Sequence, residues 1–103
     1  MTPKKVLVTG SSGYLGSQTV AALARRPDLA VIALDVREPA ARLDGVAYEV
    51  ADIRAPEVDA IVARHRPDVI VHLASIVTPG KNSNRAFEYD VDVNGTRNLL
   101  QAC

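Results

Sequence analysis

Glycines at positions 10, 13 and 16 stand at three-residue intervals, directly behind the apolar run Val6-Leu7-Val8 and directly before a helical stretch, Ser17 to Arg26. A strand that feeds a glycine-rich turn at the mouth of a helix is a phosphate-binding arrangement. The turn glycines let the backbone bend and approach a ligand closely. The helix N-terminus then presents unpaired N–H groups and the positive end of a dipole to an anion. A third glycine allows the helix to pack tightly on the strand. Glycines alone would serve equally well for geometry in a plain strand–turn–helix. Asp35 tips the reading. It ends a second apolar run, Val31-Ile32-Ala33-Leu34, at the distance where an acidic side chain meets the ribose hydroxyls of a bound dinucleotide.

These residues need elements to hold them. The pattern predicts strands at Val6–Thr9, Val31–Asp35, Val46–Ala51 and Val69–Leu73. The first helix is expected over roughly Tyr14–Arg26, with Leu15, Val20 and Leu23 toward the sheet and Pro27-Asp28 as its stop. Val36–Gly45 reads as a loop, with room for a helical turn. Pro56 suits the first turn of a second helix, whose Val58, Ile61, Val62 and His65 share one face; Arg66-Pro67-Asp68 ends it. Thr78–Ser83 reads as a loop, and a last helix runs from about Asn84 to Cys103. Alternating strands and helices imply parallel pairing through right-handed crossovers. The fold class is α/β: the first half of a Rossmann-type, doubly wound parallel sheet, strand order 3-2-1-4.

Composition agrees. Of 103 residues, 48% are hydrophobic and only 4% aromatic, as in a Val/Ala/Leu/Ile sheet covered on both faces. The length allows one small domain. Twelve basic residues balance twelve acidic ones, and no basic run exceeds a pair, so nothing points to nucleic acid. The longest apolar runs fall far short of a signal peptide or a membrane span. The single cysteine, Cys103, has no partner for an internal disulfide, which suits a reducing, cytoplasmic setting. Two histidines, His65 and His72, without a cysteine or carboxylate cluster make no case for a metal. His72 reads as a packed, hydrogen-bonded side chain, and His65 as a helix C-terminal residue favoured by the dipole.

Two features suggest a longer protein. Val69-Ile70-Val71-His72-Leu73 lacks the lysine, proline or bulge that usually guards an edge strand. In the last helix, Phe87, Val91, Gly95, Leu99 and Ala102 make one apolar stripe, and Val93, Leu100 and Cys103 make a second. The expectation is an N-terminal half whose second stripe meets another surface.

The chain resembles, over its whole length, the extended short-chain dehydrogenase/reductase family, the group that contains nucleotide-sugar epimerases and dehydratases. Thr9-Gly10-Ser11-Ser12-Gly13-Tyr14-Leu15-Gly16 is similar to the family's T-G-x-x-G-x-x-G. Asp52-Ile53-Arg54 resembles its D-[IV]-R/T, and His72-Leu73-Ala74-Ser75 its H-x-A-[AG]. Asp92-Val93-Asn94-Gly95-Thr96-Arg97-Asn98-Leu99-Leu100 resembles N-V-x-G-T-x-N-L-L, with Asp92 where the family has asparagine. A buried carboxylate there would need donors or a raised pKa.

The resemblance implies NAD as cofactor, contacted by Gly10, Ser12, Gly13, Tyr14, Leu15 and Gly16, by Asp35, by Asp52 and Ile53, and by Leu73, Ala74 and Ser75. Asp35 falls on the acidic residue that selects NAD over NADP; Arg37 beside it weakens that exclusion. Asp52 would meet the adenine amino group, or else cap the Pro56 helix. The family's catalytic Y-x-x-x-K is absent: Tyr14, Tyr48 and Tyr89 are followed four residues on by Gln18, Asp52 and Val93. Catalytic residues and a substrate domain would lie beyond residue 103, and these 103 residues alone would be inactive. The implied whole is an NAD-dependent epimerase/dehydratase-type oxidoreductase for a small molecule such as a nucleotide sugar, a homodimer through the helix about Asn84–Cys103. Alternatives are a reductase of the same family, a non-catalytic dinucleotide sensor on the fold, and, against the glycine spacing, an S-adenosylmethionine methyltransferase.

Overall fold

Val6–Val8 and Val31–Leu34 are apolar at every position because both faces of their strands are covered. In the computed structural model, which describes residues 3–39, 41–74 and 90–102, these runs are the two central strands of a four-stranded parallel sheet. The elements are β1 (Lys4–Thr9), α1 (Tyr14–Ala24), β2 (Leu29–Asp35), β3 (Val46–Val50), α2 (Glu57–His65), β4 (Val69–His72), a π-helical stretch at Asp90–Gly95 and α3 (Thr96–Ala102). The sheet order is β3-β2-β1-β4, as expected from the crossover pattern.

Side chains alternate across a strand, so each run feeds two cores. Leu7, Ile32 and Leu34 point to one face, where Val58, Ile61 and Val62 of α2 and Leu99 of α3 bury them. Val6, Val8, Val31 and Ala33 point to the other, under Val20 of α1 with Leu23 at its margin. Leu15 does not join them. It lies at the start of α1 and is exposed, because the first turn projects past the end of the strands. The described part of the 36–45 loop contains no helical turn. Of the expected last helix, the stretch before Asp90 and residue Cys103 lie outside the described residues. The part that is described begins with wider π turns before it becomes α-helical.

The register sets the functional edge. Thr9 pairs with Leu34 on one side and His72 on the other, and Asp35 pairs with Val50. Thr9, Asp35 and His72 therefore end their strands at the same side of the sheet. The order reverses around β1: α1 leads to β2 on one side and the chain returns through α2 to β4 on the other. The carboxyl ends at such a switch point are where an open α/β sheet forms its crevice. At the opposite side, Asp68 ties β4 to β1, accepting from the Lys5 N–H through Oδ2 and donating its own N–H to the Lys5 carbonyl.

Helix α2 carries Glu57 and Asp59 in its first turn and Arg64 and His65 in its last, both complementary to its dipole. His65 Nε2 and Arg64 Nη2 also meet Glu49 Oε2 of β3, at 2.6 and 2.8 Å. The helix stops at Arg66, which adopts a left-handed conformation with φ 47° and donates its N–H to the Val62 carbonyl. That conformation costs a side-chain-bearing residue about 1–2 kcal/mol. Part of that cost is returned as unfolded-state entropy when glycine is introduced. Arg66→Gly is therefore expected to raise stability by about 0.5–1 kcal/mol, read as a higher urea midpoint with an unchanged slope.

Candidate functional site

The turn between β1 and α1 is set by two contacts that exclude side chains. Gly10 has φ +71°, and a Cβ there would lie 2.7 Å from the Leu73 carbonyl carbon and 2.8 Å from the Ala74 nitrogen. A Cβ on Gly16 would lie 1.9 Å from the Gly10 carbonyl oxygen, so the first turn of α1 rests directly on the end of β1. Gly13 differs. Its Cβ would meet only the Gly10 oxygen, at 3.4 Å, which is ordinary contact. The protein's own packing does not require glycine at 13, which stands half-buried at the helix mouth. Helix α1 begins there with no side-chain cap and no acidic residue in its first turn. Its leading N–H groups are available to an anion. Tyr14 and Leu15 flank this mouth with their side chains in solvent.

Asp35 closes the turn from the β2 side. Its Oδ2 accepts the Ser12 N–H at 2.9 Å and its Oδ1 the Arg37 N–H at 3.0 Å. The Ser12 hydroxyl donates to the Arg37 carbonyl at 3.2 Å. A carboxylate has about four acceptor positions, so two remain for hydroxyl donors beside the helix mouth. The carboxylate side chain is 10% exposed, whereas Arg37, whose Nε lies 3.9 Å from Oδ1, is 67% exposed.

Asp52, just past β3, is not a helix cap: Pro56 holds the N-cap position of α2, and there is no side-chain cap bond. Instead Asp52 Oδ1 accepts the Arg54 N–H and Nε–H, both at 2.9 Å, and Oδ2 accepts Nη2 at 2.6 Å. The Arg54 guanidinium holds the Asp52 carboxyl below the usual carboxylate range, its hydrogen bonds outweighing partial burial. Ile53 is buried beneath Gly95, where a Cβ would lie 2.5 Å from Ile53 Cγ2. From α3, Asn98 Nδ2 donates to the carbonyls of Ile53 and Ala55, each at 2.9 Å. In the sequence Asn98 stands only as the asparagine of the N-V-x-G-T-x-N-L-L resemblance, with no role attached; the fold gives it this one.

Thr9 is wholly buried at the end of β1 and binds the end of β4. Its Oγ1 accepts the N–H groups of Leu73 at 3.0 Å and Ala74 at 3.2 Å, and lies 2.6 Å from His72 Nδ1. His72 Nε2 lies 2.7 Å from Thr96 Oγ1 on α3. His72 is thus the packed, hydrogen-bonded histidine expected. The structure brings Gly10, Ser12, Gly13, Tyr14, Leu15, Gly16, Asp35, Leu73 and Ala74 to one edge of the sheet, with Asp52 and Ile53 beyond β3; Ser75 and the side chain of Asp92 lie outside the described residues. Among the described residues no group of three metal-ligating side chains forms, and no helix is long and apolar enough to cross a membrane.

The sequence profile of the NAD dependent epimerase/dehydratase family matches residues 6–103. The chain is 34% identical to a dTDP-glucose 4,6-dehydratase of Neisseria meningitidis serogroup B, over 96% of this chain and 31% of that protein. Among solved structures, L-threonine dehydrogenase from Clostridium difficile superposes with TM-score 0.83 at 25% identity, over 99% of this chain and 33% of that one. A uronate dehydrogenase variant from Agrobacterium tumefaciens complexed with NAD superposes with TM-score 0.81 at 26% identity, over 98% and 36%. The chain spans about a third of the length of the relatives it matches.

The two glycines facing the Gly10 oxygen should respond differently to a methyl group. Gly16→Ala is expected to destabilise the fold by about 1–3 kcal/mol through overpacking against backbone, whereas Gly13→Ala stays within about 1 kcal/mol of the parent. Paired thermal melts measure both; equal losses would contradict the assigned roles.

Proposed function

The chain belongs to the NAD dependent epimerase/dehydratase family, and from that membership we propose that it is the NAD-binding portion of an epimerase/dehydratase-type oxidoreductase acting on a nucleotide sugar or a related hydroxyl or carbonyl compound. One observation carries the reading: an uncapped helix mouth at Gly13 with the Asp35 carboxylate hydrogen-bonded to Ser12 beside it. The first supplies donors for a pyrophosphate, the second acceptors for ribose hydroxyls. The donor set thus fits a dinucleotide. The adenosine half would lie between Asp35 and the Asp52-Ile53 turn, and the nicotinamide half along Leu73, Ala74 and Ser75. When bound, NAD supplies the hydride acceptor for a substrate carbinol.

The chain's own part is binding and orientation. Backbone N–H groups at the helix mouth would hold the pyrophosphate oxygens by hydrogen bonds, aided by the helix dipole. Asp35 opposes a further phosphate on the ribose it holds. Proton transfer to or from substrate falls to no residue assigned in these 103, since no tyrosine has a lysine four positions on; we expect them to be inactive by themselves. A family dehydrogenase that does not return the hydride is the second reading, favoured by the likeness to the threonine and uronate dehydrogenases. The single cysteine supports a reducing, cytoplasmic setting.

Association is the remaining part of the proposal. Val93 and Leu100 stay 37% and 69% exposed while Leu99 on the same helix is buried. This second stripe suits a homodimer in which the helix meets its counterpart. Sedimentation of the full-length protein is expected to give a dimer that Leu100→Glu converts to monomer. A monomer at high concentration, unchanged by that substitution, would rule it out.

Cofactor choice tests the central reading. Calorimetric titration is expected to give tighter binding of NAD than NADP, with Asp35→Ala narrowing the gap by about ten-fold or more, the scale of one or two charge-assisted contacts. Equal or tighter binding of NADP by the parent would sink the assignment.

A further inference from the structure

Thr9 Oγ1 accepts the Ala74 N–H and shares the Leu73 N–H with the Thr9 carbonyl oxygen, 3.1 Å from that nitrogen. Among the described residues, its own proton has one destination at hydrogen-bond distance, His72 Nδ1 at 2.6 Å. Nδ1 must therefore be unprotonated and accepting. The imidazole proton then sits on Nε2, from which it is donated to Thr96 Oγ1 at 2.7 Å. The order of donors runs one way: Nε2–H to Thr96, Thr9 O–H to Nδ1, and the N–H groups of Leu73 and Ala74 to Thr9. The chain of bonds begins on α3 and ends on the two peptide groups against which Gly10 is pressed.

We propose that His72, held as its Nε2–H tautomer, is a positioning residue that fixes the Thr9 hydroxyl and, through it, the Leu73–Ala74 backbone of the cofactor platform. It touches no reacting atom; it acts through Thr9. The inference rests on the reading of this edge as the NAD site, in which Leu73 and Ala74 border the nicotinamide half and Asp35 the adenosine half. Loss of the imidazole should then weaken the whole dinucleotide and spare its adenosine part.

Two measurements on the full-length protein test this. The first needs no ligand. Long-range proton–nitrogen correlation of the imidazole at neutral pH is expected to show an unprotonated Nδ1 and a protonated Nε2 for His72. The opposite tautomer, or a charged ring, overturns the proposal. The second compares NAD and AMP by calorimetry. His72→Phe is expected to lower NAD affinity about ten-fold and leave AMP within about two-fold. His72→Asn, whose Oδ1 can replace Nδ1 as acceptor for Thr9, should recover most of the loss. Unchanged NAD affinity in His72→Phe, equal losses for NAD and AMP, or an asparagine variant no better than phenylalanine would each refute it. Absence of NAD binding by the parent would instead refute the reading of the site, leaving the tautomer result to stand on its own.

Discussion

The closeness of α1 to the end of β1 governs the carboxyl edge of the sheet. A Cβ on Gly16 would stand 1.9 Å from the Gly10 oxygen. With no side chain between them, the helix axis aims its first turn straight over the strand's last peptide. That places the uncapped helix mouth within reach of Asp35, whose carboxylate takes the Ser12 N–H. If helix and strand were held further apart, this pairing of donors and acceptors would be lost. Gly10 repeats the constraint on the other flank, where Leu73 and Ala74 press on it. Two glycines thus bring three strand ends and one helix end into a single edge.

The π-helical stretch and α3 hold this edge from behind. Thr96 reaches β4 through His72, and Asn98 reaches the turn after β3 through the Ile53 and Ala55 carbonyls. The two contacts lie on opposite sides of the central strands. One element from late in the chain therefore braces both flanks of this edge, and Gly95 lets it sit directly on Ile53. These bonds are part-buried, and a fully buried polar group left without a partner costs about 1–3 kcal/mol. The same helix buries Leu99 and leaves Leu100 in solvent.

Much of the fold was legible in the residues. Continuous apolar runs at Val6–Val8 and Val31–Leu34 required strands covered on both faces, and right-handed crossovers left the order 3-2-1-4, which is the order found. Glycine spacing located the turn, and Arg66-Pro67 the end of α2. The errors have local causes. Leu15 was placed toward the sheet by helical periodicity, yet the first turn overhangs the strand ends and leaves it exposed. A uniform last helix was expected from its stripes, but periodicity over a few residues does not distinguish a π turn from an α turn.

The sequence by itself determined which elements form, because burial pattern, turn residues and capping act within a few positions of one another. It also determined the candidate contacts that follow from chain order, Gly10, Gly13, Gly16 and Asp35, since each lies at or within three residues of an element's end. Only the tertiary structure decided which polar groups are spent on the protein itself. His72 is engaged by Thr9 and Thr96, and Asn98 by two carbonyls more than forty positions away. A hydrogen bond acts only over about 3 Å, so its partners are defined by packing and are invisible to spacing along the chain.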